Sequence, residues 1–282
     1  MEDEATRLER HVESVPFWFH SIDFGHGVVS PGAKSPEYLA WEVESLQLPP
    51  LEGRSVLDVG TWDGFYAFEA ERRRASRVVA LDHFVWAWDM AEALRWRRRC
   101  EAAGQPMPPV ETIPELWRPE ELPGKRGFDT ARALLGSGVE AVAADFMTAD
   151  LDALGQFDVV LFLGVLYHMR HPLLALERLA RLTAGVAVIE THAGFFPGGE
   201  DLALCRFLEG DELDGDPTNW WSPNLRAVES MCRAAGFSRV EVVRGPRTTW
   251  RRRPWGHRPP ATGPCSTPTR PEPAVPGPPC PG

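Results

Sequence analysis

The sequence predicts an α/β fold in which a mostly parallel, Rossmann-like sheet carries helices on both faces. Three observations lead to this prediction. Short apolar runs alternate with helical segments between Arg54 and Arg244. These runs are apolar at nearly every position, as in strands that are buried on both faces. Several of them end in glycine or aspartate, residues that favour the change from a strand to a loop.

The individual elements follow from hydrophobic period and from glycine and proline punctuation. The predicted strands are SVLDVG (55–60), RVVALD (77–82), VEAVAAD (139–145), FDVVLFLG (157–164), GVAVIET (185–191) and FSRVEVV (237–243). The predicted helices cover 2–14, 36–46, 63–73, 86–101, 129–135, 172–182 and 223–235, and the stretches 104–128 and 192–222 are predicted as loops. RTTWRRR (247–253) is a poor partner for a final strand. We therefore expect the last strand of the sheet to be missing or degraded, with an exposed edge.

The composition is that of an ordinary globular protein. The chain has 282 residues, of which 43% are hydrophobic and 25% charged, enough for one α/β domain with a full core. No stretch approaches the roughly 18–20 continuous apolar residues of a membrane span, and the acidic N-terminus does not resemble a signal peptide. The five cysteines are scattered without a CxxC pair. This pattern favours the cytoplasm and predicts neither a zinc site nor a disulfide framework.

The charge is unevenly distributed along the chain. The net charge is −10, yet residues 245–282 hold six arginines against one glutamate, so residues 1–244 are more acidic than the chain as a whole. An acidic body disfavours broad nucleic-acid binding, whose affinity comes mainly from neutralising phosphates. The charge therefore favours a small-molecule partner over tRNA and indicates no membrane partner. It leaves the oligomeric state open.

Composition divides the chain into three predicted segments. Residues 1–50 combine a helix with PFWFHSIDFGHGVVSPGAKSPEY (16–38), which is too aromatic for a linker and is predicted to form an ordered lid. Residues 51–244 form the predicted α/β domain. Residues 245–282 are rich in proline and arginine, and we expect disorder beyond about residue 256.

The turn after the first predicted strand carries the first candidate site. Its sequence, Asp58-Val59-Gly60-Thr61-Trp62-Asp63-Gly64, has the order D-x-G-x-x-x-G and not the G-x-G-x-x-G of a dinucleotide site. Gly60 allows a sharp turn close to a ligand, and Gly64 allows close packing at the helix start. Carboxylates at Asp58 and Asp63 would repel a pyrophosphate but suit the ammonium and sulfonium groups of S-adenosylmethionine (SAM). An ordinary strand-to-helix turn is the alternative.

Two further strand ends carry acidic residues. Asp82 could accept both ribose hydroxyls of a nucleoside, with His83 or Phe84 beside the adenine; an N-cap aspartate is the alternative. Asp145 and Phe146 could contact the adenine amine and ring. Because ligands of open parallel sheets bind at the carboxyl ends of strands, these acids together predict a SAM site.

The blocks FHSIDFGHGVVSPG (19–32), VLDVGTWDGFYAFEAERR (56–73) and FDVVLFLGVLYHMRHPLLALERL (157–179) carry a family resemblance. Over about residues 15–245 the chain resembles bacterial class I methyltransferases of the tRNA wobble-uridine carboxymethyltransferase type, and G-V-L-Y-H-x-R-x-P is the most specific motif. The resemblance implies a SAM pocket that includes Asp58, Gly60 and Asp82. It also implies Leu163 beside the sulfonium and Tyr167 facing the acceptor.

The chain departs from this family where the family holds the carboxylate of carboxy-SAM. Members use lysines, an arginine and a tryptophan-bearing segment before the first strand, whereas SIDFGHGVVSPGAK (21–34) offers only Lys34. The family's late arginine falls in RTTWRRRPW (247–255), where the pattern is lost. We therefore expect SAM, and not carboxy-SAM, as the cofactor.

Histidines near the expected acceptor side have several interpretations. Tyr167 and His168 are predicted to line the acceptor pocket, and Tyr167, His168 and His20 are the candidate catalytic residues. His20 and Asp23 could reach the pocket if the lid folds over, with packing as the alternative for both. His168 and His171 have metal-ligand spacing, but no third ligand is close in sequence, so no metal is predicted. Arg95, Arg97, Arg98 and Arg99 are interpreted as a solvated helix face, with RNA phosphate contact as the alternative.

Three functions remain open from the sequence. The first is a SAM-dependent methyltransferase that acts on a small-molecule or glycan-like acceptor. The second is a tRNA-modifying enzyme of the wobble-uridine type. The third is a catalytically silent SAM-fold binding protein.

Overall fold

A computed structural model of the protein describes residues 3–245. The helices are α1 (Glu4–Glu13), α2 (Pro36–Leu46), α3 (Phe65–Arg72), α4 (Met90–Ala103), α5 (Arg126–Leu135), α6 (Pro172–Leu182) and α7 (Leu225–Ala234). The strands are β1 (Ser55–Val59), β2 (Arg77–Asp82), β3 (Glu140–Ala143), β4 (Phe157–Leu163), β5 (Thr183–Glu190), β6 (Cys205–Phe207) and β7 (Trp221–Pro223). The predicted tail from residue 246 onward lies outside the described residues.

The main sheet has five parallel strands in the order β3-β2-β1-β4-β5. The chain winds outward from β1 through β2 to β3 and then returns to the other side of β1. This reversal between β1 and β4 opens a crevice at the carboxyl ends of the strands, where ligands of such sheets bind. The predicted Rossmann-like class I sheet is confirmed.

Successive residues of β1 face opposite sides of the sheet, and each side packs against its own apolar core. Val56 packs in the core that also contains the N-terminal residues Leu8 and Trp18. Leu57 packs in the opposite core, with Leu176 of α6. A strand buried on both faces explains the nearly continuous apolar runs of the sequence. The N-terminal segment is thus part of one of the two helical layers that cover the sheet.

Two sequence predictions about the C-terminal half are wrong. FSRVEVV (237–243) is not a strand: Phe237 and Val240 pack on the second core as irregular chain, while Val242 and Val243 are exposed. Residues 237–243 thus attach to the protein through individual side chains and not through strand pairing. Within residues 3–245 the main sheet therefore ends at β5. The predicted loop 192–222 contains the antiparallel pair β6–β7, which three-residue strands without clear alternation did not indicate.

The helix ends differ from the predictions for local reasons. α4 begins at Met90 and not at 86, because the Asp89 carboxylate caps it by accepting the Glu92 backbone N–H at 3.1 Å. The preceding residues form a turn in which Trp86 is fully buried. No helix among residues 3–245 is long and apolar enough to cross a membrane.

Candidate functional site

The turn between β1 and α3 forms the floor of the crevice. Gly60 and Gly64 have left-handed φ angles of 75° and 90°. A Cβ at Gly60 would lie 2.6 Å from Val165 Cγ2, and one at Gly64 would lie 2.7 Å from the Phe128 ring. Both positions therefore require glycine for backbone angle and for space. The two predicted glycines thus bring the β4 loop and α5 against the turn.

Asp58 and Thr61 form a buried pair at the end of β1. The Thr61 hydroxyl donates to Asp58 Oδ2 at 2.7 Å, and the two residues are 2% and 1% exposed. Burial, with Asp82 close by, raises the pKa of Asp58 to about 7. A cation placed beside this carboxylate would stabilise its ionised form.

Asp82 occupies the equivalent position at the end of β2. Its two carboxylate oxygens accept the backbone N–H groups of Trp62 (3.0 Å) and Val85 (3.1 Å). Burial raises the pKa of Asp82 to about 6 despite these hydrogen bonds. A carboxylate accepts hydrogen bonds from hydroxyl groups as well as from backbone N–H groups. The hydroxyls of a ribose are the kind of donors this position can bind.

Asp63 contacts the N-terminal segment. The backbone N–H groups of Phe19 and His20 donate to its Oδ2 at 2.8 and 2.9 Å, and the His20 ring nitrogen Nδ1 bonds Oδ1. His20 also stacks on Phe65, with ring centroids 5.5 Å apart. Asp63, a predicted cofactor ligand, and His20, a predicted acceptor-side histidine, thus bond to each other and hold each other in position.

A second polar cluster surrounds Tyr66. The Glu42 carboxylate accepts two hydrogen bonds from Lys34 Nζ (2.9 and 2.8 Å) and one from the Tyr66 hydroxyl (2.6 Å). Burial and the nearby carboxylates of Glu42, Glu190 and Asp58 raise the pKa of Tyr66. The region around Tyr66 is therefore acidic, and the charge of Lys34 is already balanced by Glu42.

The segment after β4 brings Tyr167 to the end of β5. A Cβ at Gly164 would lie 3.6 Å from the Tyr167 hydroxyl and 3.9 Å from Glu190 Oε2. Tyr167 and Glu190 therefore border one small volume next to the β4 end and Leu163. The family resemblance implies that Tyr167 faces the acceptor, and for this volume that stays a prediction.

His168 points to the β6–β7 insertion. Its Nδ1 lies 3.1 Å from the Thr218 carbonyl oxygen and 3.0 Å from the Thr218 hydroxyl. Burial lowers the pKa of His168, although Asp216 opposes the change. These contacts favour a role in fixing the insertion.

His192 is a functional candidate that the sequence analysis missed. Its Nε2 lies 2.8 Å from the Ser222 hydroxyl in β7, and its ring centroid is 6.4 Å from that of Tyr167. The sequence offers one indication of a role for His192, because this residue follows Glu190, the acidic residue that ends β5, by two positions. Its partner Ser222 is 30 residues away in sequence, so the pairing could not be read from spacing.

The predicted adenine contacts have unequal surroundings. His83 is half-buried, with its ring centroid 5.9 Å from that of Trp117. Asp145 is exposed and accepts the Met147 backbone N–H at 2.7 Å. Phe146 is 6% exposed and packs against Phe162 in the second core. His83 is thus partly accessible next to Asp82, whereas Phe146 packs inside the protein.

Metal and phosphate sites have little support in the described part of the chain. No three His, Cys, Asp or Glu side chains among residues 3–245 are placed to share a metal ion. In the α4 arginine cluster, Arg95 and Arg99 pair with Glu92, and Arg97 pairs with Glu101. Arg97 also donates to the Asp214 carbonyl oxygen at 3.1 Å, which ties α4 to the β6–β7 loop.

The chain is similar to curated tRNA-modifying proteins over part of their length. It is 27% identical over 208 residues to the tRNA U34 carboxymethyltransferase of Syntrophotalea carbinolica, covering 73% of this chain and 51% of that protein. It is 29% identical over 206 residues to the Shewanella loihica protein of the same name, covering 72% and 49%. The chain thus spans about half the length of these relatives.

Solved structures to which the chain is similar have low sequence identity to it. The N-terminal domain of EvdMO1 with SAH bound is 20% identical, with a TM-score of 0.48 and coverage of 84% of this chain and 88% of that one. An S-adenosylmethionine-dependent methyltransferase from Mesorhizobium loti is 16% identical, with a TM-score of 0.41 and coverage of 72% and 81%.

The match to a family model covers most of the described residues. Residues 34–242 match the family model described as a methyltransferase domain. The match begins at Lys34 in the N-terminal segment and includes β1 to β7 and α7. With the sheet order and the acidic strand ends in place, the chain therefore belongs to the methyltransferase-domain family.

Proposed function

We propose that the chain binds SAM in the crevice between β1 and β4 and transfers its methyl group to a small-molecule acceptor. The observation that carries this proposal is the pair Asp58 and Asp82, two buried carboxylates with raised pKa values at the ends of adjacent strands. Such groups favour a ligand that brings positive charge near one carboxylate and hydroxyl donors to the other. SAM has both.

The roles of the site residues follow from their contacts. Asp58 and the Gly60–Gly64 turn would face the methionyl part of SAM, Asp82 and His83 the nucleoside, and Leu163 the sulfonium. Thr61 would hold Asp58. Asp63 and His20 would anchor the N-terminal segment over the turn, and Tyr167 would border the acceptor. Asp145 would contact the adenine amine. Phe146 would pack beneath the site.

Charge balance favours SAM over carboxy-SAM. The extra carboxylate of carboxy-SAM needs a cation, and Lys34 is the only cation in residues 21–34, the segment that corresponds to the family's carboxylate-binding region. Both Glu42 oxygens already bond the Lys34 ammonium. A second carboxylate at this place would meet an acidic region and a neutralised lysine, which disfavours its binding.

The surface near the acceptor position favours a small molecule over tRNA. The insertion that contacts Tyr167 and His168 is acidic: residues 200–216 contain Glu200, Asp201, Glu209, Asp211, Glu212, Asp214 and Asp216 against the single cation Arg206. Its attachment is direct, because the Trp220 backbone N–H donates to the Tyr167 carbonyl oxygen at 2.9 Å. Phosphate groups would be repelled here. The names of the curated relatives support tRNA as the alternative acceptor.

We also propose the N-terminal residues 1–50 as a lid on the methyltransferase domain at 51–244, and the cytoplasm as the location. Trp18, Ile22 and Phe24 are buried in the first core, which supports an ordered segment. Cys100, Cys205 and Cys232 are free thiols, which fits a reducing compartment.

The deciding experiment is a titration of the full chain with SAM and with carboxy-SAM, together with mass spectrometry of any nucleoside that copurifies. We expect SAM to bind more tightly, and Asp82→Asn to weaken it at least about tenfold through the lost charge on the ribose acceptor. Tighter binding of carboxy-SAM would favour the tRNA reaction, and binding of neither would overturn the proposal. SAM binding without methyl transfer to any acceptor would favour a catalytically silent binding protein.

A further inference from the structure

We propose that Arg97 and Arg170 hold the crevice closed over the bound cofactor by joining two structures on its opposite sides. The first is the α4 lobe, which we define as residues 88–117. The second is the insertion between β5 and α7, residues 192–223, which includes β6 and β7. The inference rests on the proposed function and extends it, because it names the residues that control the entry and release of SAM.

The α4 lobe has a small hydrophobic core of its own. Ala93 of α4 packs there with Ile113 of the following loop, apart from the two cores that cover the sheet. The lobe follows β2, and the centroid of its Trp117 ring lies 5.9 Å from that of His83, the residue after Asp82. It therefore stands on the side of the crevice where the nucleoside would lie.

The insertion is attached to the opposite side, at the segment after β4. The Trp220 backbone N–H donates to the Tyr167 carbonyl oxygen at 2.9 Å. The Trp221 indole N–H donates to the Arg170 carbonyl oxygen at 3.3 Å. The Arg170 guanidinium carbon also lies 4.1 Å from the centroid of the Trp220 ring, within cation–π range. Arg170 thus holds the insertion through both its backbone and its side chain.

Two contacts join the lobe to the insertion and to the segment that carries it, and we call them the latch. Arg97 Nη2 in α4 donates to the Asp214 carbonyl oxygen at 3.1 Å. Arg170 Nη2 lies 3.8 Å from Oε1 of Glu111 in the lobe. The insertion approaches Arg97 closely, because a Cβ at Gly215 would overlap the Arg97 Nη2 atom.

The strand order places the latch across the carboxyl end of β1. β2 and β4 pair with β1 on its two sides, and all three strands run in the same direction. The lobe follows β2 and the insertion is held by the segment after β4, so a contact between them spans the end of β1. The Gly60–Gly64 turn at this end forms the floor of the crevice. The latch therefore closes the crevice opposite its floor.

The latch is weak enough to open for each exchange of cofactor. The side chains of Arg170 and Glu111 are 58% and 37% exposed, and exposed ion pairs contribute little to stability. Arg97 Nε also bonds Glu101 Oε1 at 3.2 Å on its own helix, so its charge stays balanced when the insertion moves away. Because neither arginine contacts SAM in the proposed site, the latch should change how fast SAM enters and leaves and not how tightly it binds.

The test measures the entry and release rates of S-adenosylhomocysteine on the immobilised full chain by surface plasmon resonance. Arg97→Ala removes the bond to Asp214 and should raise both rates about fivefold, with the Kd unchanged within about twofold. Glu111→Gln removes the charge opposite Arg170 and should raise both rates about twofold. Because the two contacts close one mouth, the double variant should raise both rates about tenfold.

Matched substitutions control for changes of charge and of helix propensity. Arg98→Ala, at the exposed next residue of α4, and Glu115→Gln, at an exposed residue of the same lobe, should change neither rate. Gly215→Ala tests the latch independently, because its methyl group displaces the Arg97 guanidinium and should also raise both rates. In an Arg97→Ala background the same methyl group meets no guanidinium and should have no further effect.

Each outcome has a separate meaning. Unchanged rates in Arg97→Ala and in the double variant, while wild type binds S-adenosylhomocysteine, would overturn the latch and leave the proposed cofactor site standing. Faster release with an unchanged entry rate would weaken the Kd and would also overturn the latch, because it would indicate lost contacts to the cofactor. Absence of binding to wild type would overturn the proposed function itself, and the inference with it.

Discussion

The Asp63 carboxylate holds His20 by two bonds, one from the His20 backbone N–H at 2.9 Å and one with its imidazole. The residues are 43 positions apart and are 1% and 4% exposed. Asp63 lies in the turn after β1, so the bonds join the N-terminal segment to the floor of the crevice. Through Asp63, the order of the segment and the shape of the proposed cofactor site depend on each other.

Asp63→Asn should destabilise the protein by about 2 kcal/mol. Asparagine has a single accepting oxygen: with that oxygen at the Oδ2 position the NH2 group replaces Oδ1 opposite the His20 ring, and in the other orientation the Phe19 and His20 backbone N–H groups both lose their acceptor in the interior. Urea denaturation measures the loss. Asp23→Asn, at an exposed carboxylate of the same segment, is the matched control and should change stability by less than about 0.5 kcal/mol. Equal effects of the two substitutions would contradict the anchoring role.

The affinity for SAM should rise with pH. The carboxyls of Asp58 and Asp82 have pKa values raised to about 7 and about 6, and a bound cation favours their ionised forms. Below pH 6 binding must therefore release protons, and the affinity should increase up to about tenfold per pH unit for each released proton between pH 5 and 7. Calorimetry in two buffers of different ionisation enthalpy counts these protons. S-adenosylhomocysteine, which lacks the sulfonium charge, should show a weaker pH dependence; equal slopes would contradict the assignment.

Asp58→Asn should stabilise the protein at neutral pH while weakening SAM binding. Because burial raises the pKa of Asp58 in the folded protein from its ordinary value of 3.8 to about 7, the folded state binds the proton more tightly than the unfolded state. Wild-type stability should therefore fall as pH rises from about 4 to 7. The asparagine keeps an oxygen for the Thr61 hydroxyl and removes the buried charge, so the gain at pH 7.5 is on the order of 2 kcal/mol. Urea titrations at pH 4.5 and 7.5 measure it, and a variant no more stable than wild type at pH 7.5 would contradict it.

Trp62 combines a strained backbone with a stacked side chain. Its φ is 54°, a left-handed value, and its ring stacks on Phe19 at a centroid distance of 3.9 Å and an interplanar angle of 4°. Trp62→Ala loses the stack and keeps the strain, whereas Trp62→Gly loses the stack and relieves the strain. The glycine variant should therefore be more stable than the alanine variant by about 1 kcal/mol, as measured by thermal unfolding. The reverse order would show that the turn does not retain its angle in the variants.

The sequence was sufficient for those parts of the structure that depend on local patterns. β1, β2 and β4 are apolar at nearly every position, and Asp58 and Asp82 follow from their places on β1 and β2. Pairings between distant segments were not predictable. Nothing in the spacing of Asp63 and His20, or of His192 and Ser222, shows that the residues meet, because tertiary packing fixes both contacts. The strand predicted at 237–243 failed for the same reason: its alternating residues suit a strand, but α7 leaves Phe237 and Val240 to pack individually on the core.

Gly60→Ala should destabilise the protein by two separable effects. The new methyl group would lie 2.6 Å from Val165 Cγ2, and the alanine would have to adopt a φ of 75°. Steric overlap and backbone strain together should lower the free energy of unfolding by about 2–4 kcal/mol. In the double variant Gly60→Ala/Val165→Ala the overlap disappears and the strain remains.

A double-mutant cycle, completed by Val165→Ala alone and measured by urea denaturation, separates the effects. The loss in the double variant should be smaller than the sum of the losses in the single variants, with a coupling of about 1 kcal/mol or more. Additive losses would mean that the turn moves away from Val165. Because Val165 lies in the same segment as Tyr167, such movement would also alter SAM affinity, which titration of the same four proteins would detect.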